Sequence, residues 1–378
     1  MNYTLHHSIL YTGDQILYDY SLVIEKGRIH SFFPSSKARK EQGDLNLEGM
    51  VIAPGFMDLQ VYGAMGKLFN NTQDLETLKA IHEYTIKTGT TRYLVTLSTS
   101  SLESTFKAIE IVKIGLKDHY PGLLGLHLEG PFINALKRGA HLENFIQKPN
   151  LPLLKEIMEK GKGVIKMMTI APELFDAESL NFLSQSGILI SAGHSNASYE
   201  EAMAGFSHGI HSVTHLYNAM SPLGSREPGL VGATLDHHSV MAAIIPDGIH
   251  CSFPSLRIAK KIMGSRLFII TDAVTETLEG PYKFKRGHDQ YINDQGTLSG
   301  SALSMIKGVE NCVKKAGLSL VEALRMSSTY PAKILGDPQL KGTIRPGNLA
   351  DLVVFDSQYK IHHVFYEGEK LRFASSPQ

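Results

Sequence analysis

The chain has 378 residues, 43% of them hydrophobic and 20% charged, the balance of a water-soluble globular protein. Lys plus Arg equals Asp plus Glu at 37 each, so no global field favours nucleic acid or a membrane surface, and any anionic ligand must be held by a few placed residues. Two cysteines, Cys251 and Cys312, are too few for a disulfide framework. No basic stretch followed by an apolar core stands behind Met1, and no apolar run approaches the ~20 residues that span a bilayer, so a cytoplasmic protein is expected.

The first fifty residues alternate in short β-like runs. Ser8–Tyr11 and Ser21–Glu25 are broken by Gly13-Asp14 and Lys26-Gly27-Arg28. The apolar run Val51–Met57 ends at Asp58 and Gln60 and reads as the first strand of a larger unit. A helix is predicted over Asp74–Thr88, with Leu75, Leu78, Ile81 and His82 on one face. A strand over Thr90–Leu97 follows, then a helix over Ser100–Lys117 and a strand over Leu123–Leu128. Val164–Ile170 and Ile188–Ser191 continue the alternation, and the runs ending near His215, Asp247 and Asp272 extend it. This βα rhythm over most of the chain predicts a (β/α)8 barrel. The stretch Gly280–Gly300, with Tyr282, Phe284 and Tyr291 among turn residues, predicts a β-hairpin excursion. Ala350–Asp356 and His363–Glu369 are β-like again. Neither terminus can bury a sheet face alone, so a small β-sandwich from residues 1–50 and 343–378 is expected beside a barrel over 51–342.

Polar residues after buried strands point to the carboxyl rim of such a barrel, where active sites gather. Glu129 is left at the rim by Gly130-Pro131, although alone it equally suits a surface ion pair. His194 follows small residues that allow a ligand close approach, and taken singly it also reads as a satisfied structural residue. His211 and His215 are four apart, so a continuous strand would aim both inward, His211 deeper and structural, His215 at the mouth; His208 is expected to face solvent. Asp272 follows the last strand, as an acid/base or as a helix cap. Glu, two His and Asp together suit one divalent ion and a proton-transferring carboxylate.

The motifs form an ordered set: Ala53–Gln60, His127–Phe132, Ala171–Glu173, Gly193–Ala197, Thr214–Met220, Arg226–Leu230, Asp247–His250, Thr271–Ala273 and Gly296–Ser301, with Pro331–Lys333 and Gly342–Gly347. From about residue 5 to 370 this resembles the N-acetylglucosamine-6-phosphate deacetylases of the amidohydrolase superfamily. The resemblance implies a metal-dependent barrel with a terminal β-sandwich, Glu129, His194 and His215 as metal ligands, and Asp272 as catalytic acid/base. It implies that His141, beside Ala140, polarises the acetamide carbonyl. Asn218, Ala219, Arg226 and His250 are implied as sugar-phosphate contacts, and Leu298, Ser299 and Gly300 as a loop over the sugar. It further implies a homodimer or homotetramer, with a phosphate contact supplied by the neighbouring subunit.

One departure matters. Many amidohydrolases carry His-x-His after the first strand for a second metal, and here the place reads Gln60-Val61-Tyr62. Gln is a poor ligand, and an unperturbed Tyr ionises only near pH ~10. One divalent ion is therefore expected, zinc first, with iron, cobalt or manganese as alternatives. A dihydroorotase-like enzyme should keep the missing pair, whereas an enzyme for N-acetylgalactosamine 6-phosphate would keep every motif. A sugar-phosphate sensor that had lost catalysis would lack Asp272 or a ligand, and none is lost.

Overall fold

A computed structural model describes residues 2–38, 44–287 and 290–371. Eight strands follow one another in space as in sequence: Phe56–Val61, Thr90–Ser98, Leu123–Glu129, Ile165–Ile170, Leu189–Ala192, Ser212–Val213, Met241–Ile244 and Leu267–Ile269. The strand pairs from Thr90–Ser98 to Leu267–Ile269 are all parallel. A parallel bridge between Val61 and Ala273, with Asp272 N–H donating to the Gln60 carbonyl at 3.0 Å, joins the last strand's end to the first. The ring is nearly closed, and helices alternate with its strands as in a (β/α)8 barrel.

The strands read as unbroken apolar runs because both of their faces are covered. Tyr93, Leu94, Val95, Leu126, Met168, Ile170 and Ile190 are all buried. Each such aliphatic side chain contributes about 1.5–3 kcal/mol on burial. Helix starts follow local chemistry: Ser101, Asn150, Asp176 and Ser252 each accept a backbone N–H of the first turn, and Ser198 and Glu201 form a capping box.

A second eight-stranded sheet is built from both chain ends. Leu352–Phe355 runs antiparallel to Val51–Pro54, which lies parallel to Ile9–Leu10 of strand Tyr3–Tyr11. Leu5, Leu10, Leu22, Ile24, Ile52, Leu352, Val354 and Phe365 share one core. The chain divides into two compact units, Met1–Asp58 with Glu83–Arg92 and Ser304–Gln378, and Leu59–His82 with Tyr93–Leu303.

The run Val51–Met57 is not one strand. It breaks at Gly55, between Val51–Pro54 in the terminal sheet and Phe56–Val61 in the barrel. A Cβ at Gly55 would lie 2.2 Å from Thr91 Oγ1, so only glycine fits the crossing. The Gly280–Gly300 excursion is a three-stranded antiparallel sheet, Lys285–Arg286, Gln290–Ile292 and Leu298–Ser301. Among the described residues no helix is long and apolar enough to cross a membrane.

Candidate active site

Glu129 is the last residue of its strand, and His194, His215 and Asp272 follow theirs by two or three residues. There the backbone leaves β geometry: φ is 47° at His194, 34° at His215 and 54° at Asp272. Left-handed conformations cost non-glycine residues of order 1–3 kcal/mol, and they concentrate where a fold must aim a side chain. All four side chains are buried and meet above the barrel floor, where His127 Nε2 lies 2.8 Å from Thr169 Oγ1.

Glu129 Oε1 lies 2.9 Å from His215 Nε2 and 3.3 Å from His194 Nε2, and the two nitrogens are 3.1 Å apart. Three donors on a tetrahedral ion with bonds of ~2.0–2.1 Å sit roughly 3.3 Å from one another, so this triangle fits a divalent cation. The tautomers agree. His194 Nδ1 must donate to the Lys137 carbonyl at 2.9 Å, so in the neutral ring the lone pair is on Nε2 and faces the triangle, where a cation would take the place of the proton that Nε2 carries when the ring is charged. His215 Nδ1 is buried and has no hydrogen-bond partner among the described residues.

His141 also brings a ring nitrogen near Glu129 and His194. Its Nδ1 accepts from the Thr99 backbone N–H at 3.3 Å, and Thr99 Oγ1 lies 2.8 Å away. The neutral ring therefore carries its proton on Nε2 and donates to Glu129 Oε2 at 2.9 Å. A nitrogen committed as a donor is not a metal ligand, so the triangle with His215 is the better cation site. Tyr62 OH donates to Glu129 Oε2 as well, in a short hydrogen bond. The Gln60 amide nitrogen lies 2.9 Å from Glu129 Oε1, 2.8 Å from Asp272 Oδ1 and 2.7 Å from Tyr62 OH.

The electrostatics follow. Burial opposes ionisation of Glu129, but the charge of His194 and hydrogen bonds from His141, His194 and His215 outweigh it and hold the carboxyl well below its ordinary value. Burial also opposes charge on His194, and there Glu129 wins, so its pKa is raised. Burial lowers His215, and it lowers His141 to about 4, with His194 adding repulsion. Burial pushes the Tyr62 phenol well up, and the charges of Glu129 and Asp272 push it further, which keeps it a donor.

A cavity of about 340 Å³ opens onto this cluster. Ala140, His141, Asn218, Ala219, His250, Leu298, Ser299 and Gly300 line it, together with Glu129, His194, His215 and Asp272. Arg226 does not line it. It is exposed on the loop before helix Gly229–Asp236, and among the described residues it forms no ion pair, with Glu227 or otherwise. Glu227 instead accepts the backbone N–H of Tyr199 and of Gly229, each at 2.8 Å. His208 is exposed as expected, but His211 is exposed too, because its strand covers only Ser212–Val213 and the chain has turned by His215.

Sequence reasoning passed over several lining residues: Ser98, Lys137, Val274, Tyr282 and Phe284. Lys137 stands three residues before Ala140, and that adjacency was the available signal. Glu173, matched only as part of a string, pins the loop after His194. It accepts from Ser195 Oγ at 2.7 Å, from Asn196 N at 2.6 Å and from Asn134 Nδ2 at 2.9 Å. Neither cysteine forms a disulfide among the described residues, and both are buried.

A parallel barrel carrying two imidazoles, two carboxylates and a cation-sized triangle at its carboxyl rim defines a class of metal-assisted hydrolases. The chain belongs to the Amidohydrolase family, whose signature spans residues 51–372, preceded by a NagA composite domain over residues 2–52. It is 35% identical to an N-acetylglucosamine-6-phosphate deacetylase of Haemophilus influenzae, over 98% of this chain and 99% of that one. It is 33% identical to an N-acetylgalactosamine-6-phosphate deacetylase of a Shewanella species, over 86% of each. The crystal structure of N-acetylglucosamine-6-phosphate deacetylase from Pasteurella multocida superposes with a TM-score of 0.94 at 32% identity, covering 98% of this chain and all of that one.

Proposed function

We propose that this chain is a metal-dependent amide hydrolase that converts N-acetylglucosamine 6-phosphate and water into glucosamine 6-phosphate and acetate, in amino-sugar breakdown in the cytoplasm. The observation that carries the chemistry is the meeting of Glu129 Oε1, His194 Nε2 and His215 Nε2 in one triangle, linked through Gln60 to Asp272. Near full-length likeness to the Haemophilus influenzae and Pasteurella multocida proteins supports the substrate.

Glu129, His194 and His215 would hold one divalent ion, and zinc suits two imidazoles and a carboxylate; iron, cobalt and manganese are distinguishable by elemental analysis. Such an ion supplies Lewis acidity beside the scissile carbonyl and makes water more acidic. Asp272 accepts the proton of the attacking water as its oxygen bonds to the acetyl carbon. His141, with its proton fixed on Nε2 by Thr99, donates toward the carbonyl oxygen as negative charge develops there. The C–N bond then breaks, and Asp272 returns the proton to the leaving amine. Ala140, Asn218, Ala219, Leu298, Ser299 and Gly300 shape the sugar site. His250, its Nδ1 held by Asp247 Oδ2 at 2.6 Å, turns its other edge to the phosphate. Arg226 reaches a phosphate only in a homodimer or homotetramer, where its exposed guanidinium serves a neighbouring copy.

The Shewanella relative favours one second reading, in which the galactosamine epimer is the substrate. Acetate release from both sugar phosphates tests the two readings, with and without chelator. Release from the glucosamine compound, lost with chelator and restored by zinc, is expected. Faster turnover of the epimer would favour the second reading, and no release from either by metal-replete protein would overturn both.

A further inference from the structure

We propose that Lys137 is a phosphate-recognising residue that sets specificity in the cavity of its own chain, a reading that rests on the sugar-phosphate hydrolase proposed above. A phosphomonoester brings a charge of roughly −1.5 to −2 at neutral pH. The cavity already holds the carboxylates Glu129 and Asp272, which repel it, so a cationic side chain must counter them. Among the described lining residues, Lys137 is the only lysine or arginine.

The local structure fixes the backbone of Lys137 and leaves its ammonium uncommitted. Lys137 closes the short turn Ala135–Lys137, which the Asn134 side chain caps. Asn134 is itself tied to Glu173 at 2.9 Å. The Lys137 carbonyl accepts from His194 Nδ1 at 2.9 Å, so the chain at this residue is clamped to the metal-binding cluster. The half-buried side chain forms no ion pair and no hydrogen bond among the described residues.

Its neighbour shows the contrast. Arg138 donates to the His141 carbonyl at 3.1 Å and pairs with Glu143 at 3.4 Å, which spends that charge on the loop. Lysine suits what remains, because a flexible stem carrying three donors can follow a phosphate without demanding a planar, two-pronged partner. His250 lines the same cavity and supplies another donor. Phosphate selection thus has a component within one chain, separate from anything Arg226 supplies across an interface.

The test uses the metal-replete protein and its Lys137→Met and Lys137→Arg variants. Metal content should not change, because a backbone carbonyl, not the side chain, holds His194. The ratio of kcat/KM for N-acetylglucosamine 6-phosphate to that for N-acetylglucosamine should fall about 10–100-fold in Lys137→Met, mostly through KM, and recover in part in Lys137→Arg. Inorganic phosphate, titrated by calorimetry, should bind Lys137→Met at least about ten times more weakly than it binds the parent. An unchanged ratio, an equal loss on both sugars, or equal phosphate affinity in parent and variant overturns the assignment. Absence of acetate release by the parent overturns the proposed reaction instead, and the phosphate titration still decides the role of Lys137.

Discussion

Arg92 and Glu129 are both charged side chains sunk below the surface, with 8% and 2% of their area exposed, and their surroundings differ in kind. Arg92 donates through Nε to Asp351 at 2.7 Å, through one terminal nitrogen to Glu367 at 2.9 Å and through the other to Tyr366 OH at 3.0 Å. Its guanidinium also sits 4.5 Å from the Tyr366 ring centre. Donors meet acceptors and plus meets minus, and those charges hold the guanidinium pKa up against burial. Glu129 has more neighbours and a poorer match. Gln60, Tyr62 and His141 donate to it, but the neutral His194 ring turns a lone pair toward it, and His215 Nδ1 has no partner among the described residues. A buried charge with a complete set of partners belongs to the architecture. A buried carboxylate grouped with two imidazole nitrogens at cation-ligand spacing is matched fully only by a cation among them, and that donor set marks the site.

Substitutions can break this contrast. The largest effect is expected on metal retention. His194→Ala should lose its ion on dialysis, whereas His141→Ala, which removes a donor and not a ligand, should keep about one equivalent per chain by elemental analysis. The reverse pattern would move the ligand set to His141. Next, Asp272→Asn should keep fold and metal yet lose roughly 10²–10⁴-fold in turnover, because an amide cannot carry the proton. Turnover near the parent level would remove that role. Arg92→Met strands two carboxylates and should cost about 3–5 kcal/mol in denaturant unfolding while the folded protein keeps its metal. Metal loss in step with stability would erase the distinction. The smallest effect is expected for Tyr62→Phe, which removes a donor from Glu129 Oε2 and should weaken metal binding about 10–100-fold in a chelator competition. Unchanged affinity would make the hydroxyl a bystander.

Much of this is legible in the amino-acid sequence. Barrel strands covered on both faces leave long apolar runs, so Thr90–Leu97, Leu123–Leu128 and Val164–Ile170 stand out in the sequence, and Glu129, His194, His215 and Asp272 stand at or just beyond the ends of such runs. The failures share a cause, which is that the deciding partner is far away in sequence. Val51–Met57 is uniformly apolar, and only pairing with Leu352–Phe355 separates its halves. The spacing of His211 and His215 assumed a strand that lasts to residue 215, yet tertiary structure ends it at Val213. Arg226 lies in a matching string, but a string carries no information about which cavity a loop faces. Tyr62 read as a failed ligand because its hydrogen bond crosses to Glu129, a residue 67 positions away.

The Gln60 amide has two hydrogens and three oxygens within reach, on Glu129, Asp272 and Tyr62. The amide can therefore serve only two of the three at once. A cation claiming Glu129 Oε1 reduces that oxygen's need for a hydrogen, and the amide turns to Asp272. Occupancy of the metal site and the readiness of the proton carrier are then two readings of a single hydrogen-bond equilibrium. Thermodynamic reciprocity requires that any change at Asp272 that shifts this equilibrium also shifts metal affinity, by the same coupling free energy and with the same sign.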